Sequence, residues 1–331
     1  MQSEGRWYRW CLVLVLCVLS QGWWVSRAPA ADRTRPFRIG ALTISWGPTP
    51  MIVGLRDGLL QLGYREDRDF VLGVRFTQGD IAALPAAALE LVQYGVDLIF
   101  VDADAPARAA QQATTQIPVV FASVNDPEGL GSIQSFARPG GNITGVTDME
   151  LHLGPKRLQI FQEMIPSLKR VLFPYNATET YAVKMVQVYR DAAHRLGIEL
   201  VAQGVRTQEE ARATLARLHQ GEVDGILVPR SNSLNIQGFI METAAQQKIP
   251  AMFSSTFFPE NGGLASYAPD TYETGKQAAR LVDKILKGAN PAEIPVEVNS
   301  KIEFVINLQT AKQLELTIPP EVLYQADQLI R

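Results

Sequence analysis

Asp102 and Asp104, two carboxylates at i, i+2 near the end of an apolar run, are the residues best suited to acid–base chemistry in this chain. Paired carboxyls whose surroundings separate their proton affinities can act as one acid and one base. At the strand end, where the chain leaves the sheet, the two are expected to diverge onto opposite sides, which argues against a shared substrate. The other reactive residue types are no better placed. His152, His194 and His219 show no metal-ligand spacing, and His194 and His219 sit among Arg and Gln on helical surfaces. There is no H-E-x-x-H string, cysteine cluster or G-x-S-x-G elbow. Gly275-Lys276 lacks the upstream glycine of a phosphate loop, and residues 138–142 (RPGGN) precede a strand, as a tight turn does. The chain reads as a binding protein, not an enzyme, with no metal and no cofactor.

A second set of residues suits ligand binding. Trp46 lies in a loop beside Gly47 and Pro48, where an aromatic ring has little core to join and is free to stack on a ligand. Arg230 stands at the C-terminal end of an apolar strand, the edge at which open α/β sheets bind ligands. Its planar fork of donors matches a carboxylate, and a salt bridge within the protein is the competing reading. Asp126 precedes Pro127, so turn chemistry and ligand contact both fit it. Phe257 and Phe258 fit a core or a cleft wall equally well.

These residues need a scaffold, and a repeated pattern supplies one. Residues 96–101 (VDLIFV) are followed by a helical stretch and then 117–123 (IPVVFAS); residues 223–229 (VDGILVP) lead likewise to 249–255 (IPAMFSS). Continuous apolar runs of this kind are buried parallel strands, and connecting helices bring their C-terminal ends to a common edge. Strands expected at 37–44, 70–76, 169–175, 198–205, 264–267 and 301–307 alternate with helices, notably one opened by Thr49-Pro50, one capped by Asp80, and one over 273–286. The second half of the fold is expected to begin near Gly154. The fold class is α/β: two similar lobes, parallel sheets flanked by helices, and a ligand cleft between the lobes.

The first 30 residues fall outside that fold. Arg6 and Arg9 precede an apolar stretch at 11–19, and Ala28-Pro29-Ala30 fits leader cleavage near Ala30. Ser20, Gln21 and Gly22 interrupt the stretch short of the roughly 20 apolar residues of a membrane span. Cys11 and Cys17 both lie in this leader, so the remainder forms no disulfide, and Leu16 before Cys17 argues against lipidation. Without Glu4, Arg6, Arg9 and Arg27 the chain carries 28 basic and 33 acidic residues, a net of −5. No basic patch stands out, so nucleic acid is not an expected partner.

The strings IPVVFASVNDPEGLGSIQSFARPGGNITGVTD, GGLASY and KILKGANPAEIPVEVNSKIEFVINLQTAKQLELTIPP are similar to those of ABC-transporter substrate-binding proteins of the tryptophan- and tyrosine-binding type. The resemblance runs from about Arg38 to Ile330. It implies a type I periplasmic-binding fold: residues 1–30 a signal peptide, 36–148 with 268–300 one lobe, and 149–267 with 301–331 the other. It also implies a hinge of three strands, a periplasmic location, a small-molecule ligand, a membrane permease as partner, and a monomer. A ligand-binding subunit of a membrane sensory system is the alternative.

By position in the family's strings, the resemblance points to Ser45, Trp46 and Thr49 of the first loop, then Asp104, Asn125, Thr147 and Asp148. In the second lobe it points to Tyr175 and Asn176 and to the stretch Pro229-Arg230-Ser231-Asn232. There the family often has P-x-D-N, whose Asp suits an ammonium group; here Ser231 takes that place with Arg230 before it. The uncharged Ser255 and Thr256 occupy a further position that is acidic in the family. These departures favour an anionic or neutral ligand paired with Arg230. Its planar apolar part would meet Trp46 and Phe257, with Asn125, Asn176 and Asn232 supplying hydrogen bonds.

Overall fold

The computed structural model describes residues 35–129, 131, 133–231 and 233–331. The leader, its cleavage near Ala30, and Asn232 lie outside the described residues. From Pro36 onward the chain alternates strand and helix. The first part runs β1 (Phe37–Thr43), α1 (Pro50–Gln61), β2 (Phe70–Phe76), α2 (Leu84–Gln93), β3 (Leu98–Val101), α3 (Asp104–Ala113), β4 (Val119–Val124) and β5 (Ile143–Thr147). It continues through α4 (Glu150–Met164), β6 (Arg170–Asn176), α5 (Thr180–Leu196), β7 (Glu199–Val205), α6 (Gln208–Ala216), β8 (Gly225–Leu227) and α7 (Ile236–Gln247). The last part is β9 (Ala251–Phe253), α8 (Phe257–Glu260), β10 (Ala265–Pro269), α9 (Thr271–Leu286), β11 (Glu297–Val298), β12 (Ile302–Asn307), α10 (Leu308–Gln313), α11 (Pro320–Gln325) and β13 (Gln328–Ile330).

Two sheets result. One is wholly parallel, in the order β11-β5-β4-β3-β1-β2; the other runs β13-β12-β10-β9-β8-β6-β7. Alternate residues of the first sheet's strands feed two cores: Leu98, Phe100 and Val120 pack toward α1 and α9, while Ile99, Val101 and Phe121 pack toward α2 and α3. The second sheet departs from the all-parallel expectation at one pairing. β10 and β12 are antiparallel, with Ala265 opposite Ile306, because the chain leaves after β10 to build α9 and β11 beside the first sheet and re-enters from the other end. The chain thus passes between the sheets three times, after β5, after β10 and after β11.

The repeated Val-Asp pair has a structural role in both copies. Asp97 Oδ2 accepts from the Arg38 amide at 2.8 Å while the Asp97 amide donates to the Arg38 carbonyl at 2.7 Å. Asp224 closes the same ring with Arg170, at 2.7 and 2.8 Å, and Asp327 closes a third with Phe304. Each aspartate pins the start of its own strand to a residue near the start of the neighbouring strand, Arg38 of β1, Arg170 of β6 and Phe304 of β12.

Thr49 caps α1, with its hydroxyl accepting from the Ile52 amide and Pro50 in the first turn. Asp80 does not cap a helix as expected. Its carboxylate accepts from Ala82 and Ala83 in a turn, and α2 begins later, at Leu84. Helix α4 has no counterpart in the sequence reading, which resumes near Gly154; Pro155 inside it breaks the usual helix signature. Where α9 crosses α1, a Cβ on Gly275 would stand 2.0 Å from the Met51 carbonyl oxygen and one on Gly54 2.1 Å from the Tyr272 oxygen. Only glycine lets the two backbones meet this closely, and the contact seats α9 on the first sheet.

Candidate ligand-binding site

The C-terminal ends of β1, β3, β4 and β5 carry the first sheet's candidates, and those of β6, β8 and β9 carry the second's. Just past β3, the buried Asp102 turns toward the first loop and accepts from Thr49 Oγ1 at 2.9 Å. Asp104, the first residue of α3, turns the other way and accepts from the Asn125 amide (3.1 Å) and Asn125 Nδ2 (2.5 Å). The pair therefore diverges, because Asp104 already lies in α3 and not on the strand, where i and i+2 would share a face, and it shares no donor. Burial is the main cause that lifts both carboxyls to a pKa of about 6. For Asp102 the bonds from Thr43 and Thr49 oppose it; for Asp104 the bonds from Asn125 and the charge of Arg230 oppose it, while Glu179 adds to it.

Arg230 makes a salt bridge within the protein, the competing reading of the two. Its Nη2 lies 2.6 Å from Asp148 Oδ2 and donates to Ser123 Oγ, and its Nη1 is 4.0 Å from Glu150 Oε2. Ser123 in turn donates to Asp148. An ion pair therefore joins the end of β8 to the end of β5, across from one sheet to the other. The cause is Asp148 itself: a wholly buried carboxylate needs a counter-charge, and the guanidinium is the cation within reach. Ser123 reaches this position through a left-handed backbone, φ 64°, at a register shift between Ala122 and Val124. Strained residues of this kind gather at functional sites.

Behind Arg230, Glu150 is not free. The buried Arg157 clamps it with both terminal nitrogens and also donates to the Tyr267 carbonyl and Tyr189 hydroxyl. A second ion pair links the sheets at Lys184 of α5 and Asp126, 2.5 Å apart.

The remaining candidates divide. Ser45 closes its own loop, donating to the Gly47 carbonyl at 2.5 Å, and leaves Trp46 77% exposed. Phe257 is also exposed, edge-on to Phe258. Thr147 is buried and donates to the Val124 carbonyl, Asn176 accepts from both Thr178 donors, and Tyr175 stacks on Phe173. These three serve turns and packing. Thr49 serves as a helix cap. What the fold brings together is Asp104, Asn125, Asp126, Asp148 and Arg230. Four residues join them that sequence reasoning passed over: Ser123, Glu150, Glu179 and Lys184. Glu179 lies at the start of α5, where an acidic residue reads as a helix-dipole partner, and Lys184 reads as an exposed helix face. Only their meeting across the sheets distinguishes them.

Residues 49–330 match the model of the family described as ABC transporter substrate binding protein. The chain belongs to that family. The family binds solutes and has no enzymatic activity, which agrees with the diverging carboxylates. A tyrosine-binding protein of Clostridioides difficile is 28% identical over 264 residues, 80% of this chain and 76% of that one. The ABC domain of a Streptococcus pneumoniae protein, solved in complex with L-Trp, is 28% identical with a TM-score of 0.81 and covers 89% of this chain and 100% of its own. A conserved domain protein from Vibrio cholerae is likewise 28% identical, TM-score 0.80, over 89% and 100%. This substrate-binding protein has the type I periplasmic-binding fold: two α/β sheets, mostly parallel, flanked by helices. Among the described residues no helix is long and apolar enough to cross a membrane.

Proposed function

We propose that this protein is the periplasmic solute receptor of an ABC importer, exported by a leader cleaved near Ala30. It takes a small aromatic amino-acid-like solute, closes its two lobes around it, and presents the closed form to a membrane permease. The observation that carries the reading is the convergence of strand-end polar residues from both sheets, joined by the Arg230–Asp148 and Lys184–Asp126 pairs. A polar seam of this kind between two separately cored sheets suits opening and closing about a ligand. The aromatic class is supported by the two relatives, one named for tyrosine and one solved with tryptophan, and by the exposed Trp46 and Phe257 on the same strand-end edges.

A ligand that binds only the folded form raises the melting temperature, by an amount that grows with the logarithm of its concentration over Kd. L-tryptophan or L-tyrosine at millimolar concentration is expected to raise it by several degrees, where L-alanine and D-ribose do not. An unchanged melting curve with both aromatic amino acids overturns the ligand class.

A further inference from the structure

We infer that Asp104 and Asn125 form a cation-anchoring subsite that holds an ammonium group of the ligand. This rests on the reading of the chain as a solute receptor, and it adds a cation site to the anion site expected at Arg230. Three observations carry it. Asn125 is only 9% exposed, and its Oδ1 has no hydrogen-bond donor among the described residues, although its Nδ2 and amide both donate to Asp104. A buried amide oxygen left without a donor is costly, and an incoming N–H relieves that cost. Asp104 itself accepts from Asn125 alone among the described hydrogen bonds, and a carboxylate has room for about four donors. Acceptors from two side chains therefore sit together where a group with several N–H donors can bridge them.

The charges point the same way. Five carboxylates meet at the junction of the sheets, Asp104, Asp126, Asp148, Glu150 and Glu179, against three cations, Arg157, Lys184 and Arg230, of which Lys184 is taken up by Asp126. Arg230 is held by Asp148 and Ser123 and no hydrogen bond joins it to Asp104, while Arg157 is clamped on Glu150. Glu179, from the second sheet's side, acts on Asp104 with a like charge and accepts from Ser231. A like-charged carboxylate facing a buried one is relieved by a cation between them and aggravated by an anion.

Calorimetry on the exported chain tests this with four probes: L-tryptophan, tryptamine, indole-3-propionate and putrescine. Tryptophan and tryptamine, which carry the ammonium group, are expected to bind at least about 30-fold more tightly than indole-3-propionate, which lacks it. Asp104→Asn is expected to remove that preference, weakening the two amines about 30-fold and leaving indole-3-propionate unchanged. Asn125→Ala, read the same way, stands in if Asp104→Asn does not fold. Equal binding of indole-3-propionate and tryptophan, or wild-type amine affinity in the variant, overturns the subsite and leaves the aromatic reading standing. Binding of putrescine without any indole compound keeps the subsite and overturns the aromatic class. Failure of all four to bind overturns both.

Discussion

Asp104 is the residue whose environment makes the sharpest solution prediction. Its carboxyl titrates near pH 6 instead of near 4, mainly because it is buried, with Asn125, Arg230 and Glu179 as the groups facing it. A folded pKa above the unfolded one means that the folded state holds the proton more tightly. The resulting stability is fully present below about pH 4 and is lost as pH rises through about 6. A bound ammonium group reverses the preference, since it favours the ionised form. Affinity for a cationic ligand is therefore expected to rise with pH and level off above about 6, with binding at pH 5 about tenfold weaker than at pH 7. Titration calorimetry across pH 5–8 checks this, and Asp104→Asn flattens the profile. An affinity that falls as pH rises indicates an anionic ligand and contradicts the assignment.

At the scale of elements, the crossing of α1 and α9 sets two magnitudes against each other. Gly275→Ala removes a helix-interior glycine, which by propensity alone stabilises by about 1 kcal/mol. The new methyl, however, stands 2.0 Å from the Met51 carbonyl oxygen, and relief requires the helices to part. Overpacking of this kind costs about 1–3 kcal/mol, more where backbone is the obstacle, so a net loss of several degrees in melting temperature is expected. Gly73→Ala, whose Cβ meets nothing within 4 Å, is the control and leaves the melting temperature unchanged. The same elements mark what was legible in the sequence. The two Val-Asp strand pairs were, because buried parallel strands are apolar end to end and the aspartates brace them identically. Helix α4 was not, since Pro155 interrupts it and its buried Glu150–Arg157 pair reads as ordinary surface charge. Nor was the partner of Arg230: Asp148 lies far away along the chain and meets it only when both sheets are in place.

For the whole molecule, the Arg230–Asp148 pair is placed to bias the proposed closing motion. Asp148 follows β5, at one of the three passages between the sheets, and Asn299 from another passage donates both to it and to Thr274 near the third. Arg230 reaches this junction from the second sheet with its side chain 16% exposed, whereas Lys184, paired with Asp126, is 45% exposed and is expected to add little. Losing one partner of a buried ion pair costs about 2–5 kcal/mol, much of it from the charge left behind. Arg230→Ala is therefore expected to shift the ligand-free protein toward an open form, seen as a larger radius of gyration in small-angle scattering. It should also weaken ligand binding, because closure then lacks its latch. The alternative, in which Arg230 grips a ligand carboxylate, predicts a different pattern of loss. If Arg230 holds the ligand's anion, the variant loses affinity for tryptophan and none for tryptamine, which has no carboxylate. If it latches the lobes, both ligands lose affinity by the same factor, and Asp148→Asn in the Arg230→Ala background adds little further loss. Equal losses for the two ligands, with an expanded ligand-free form, assign Arg230 to the motion; a loss confined to tryptophan assigns it to the ligand.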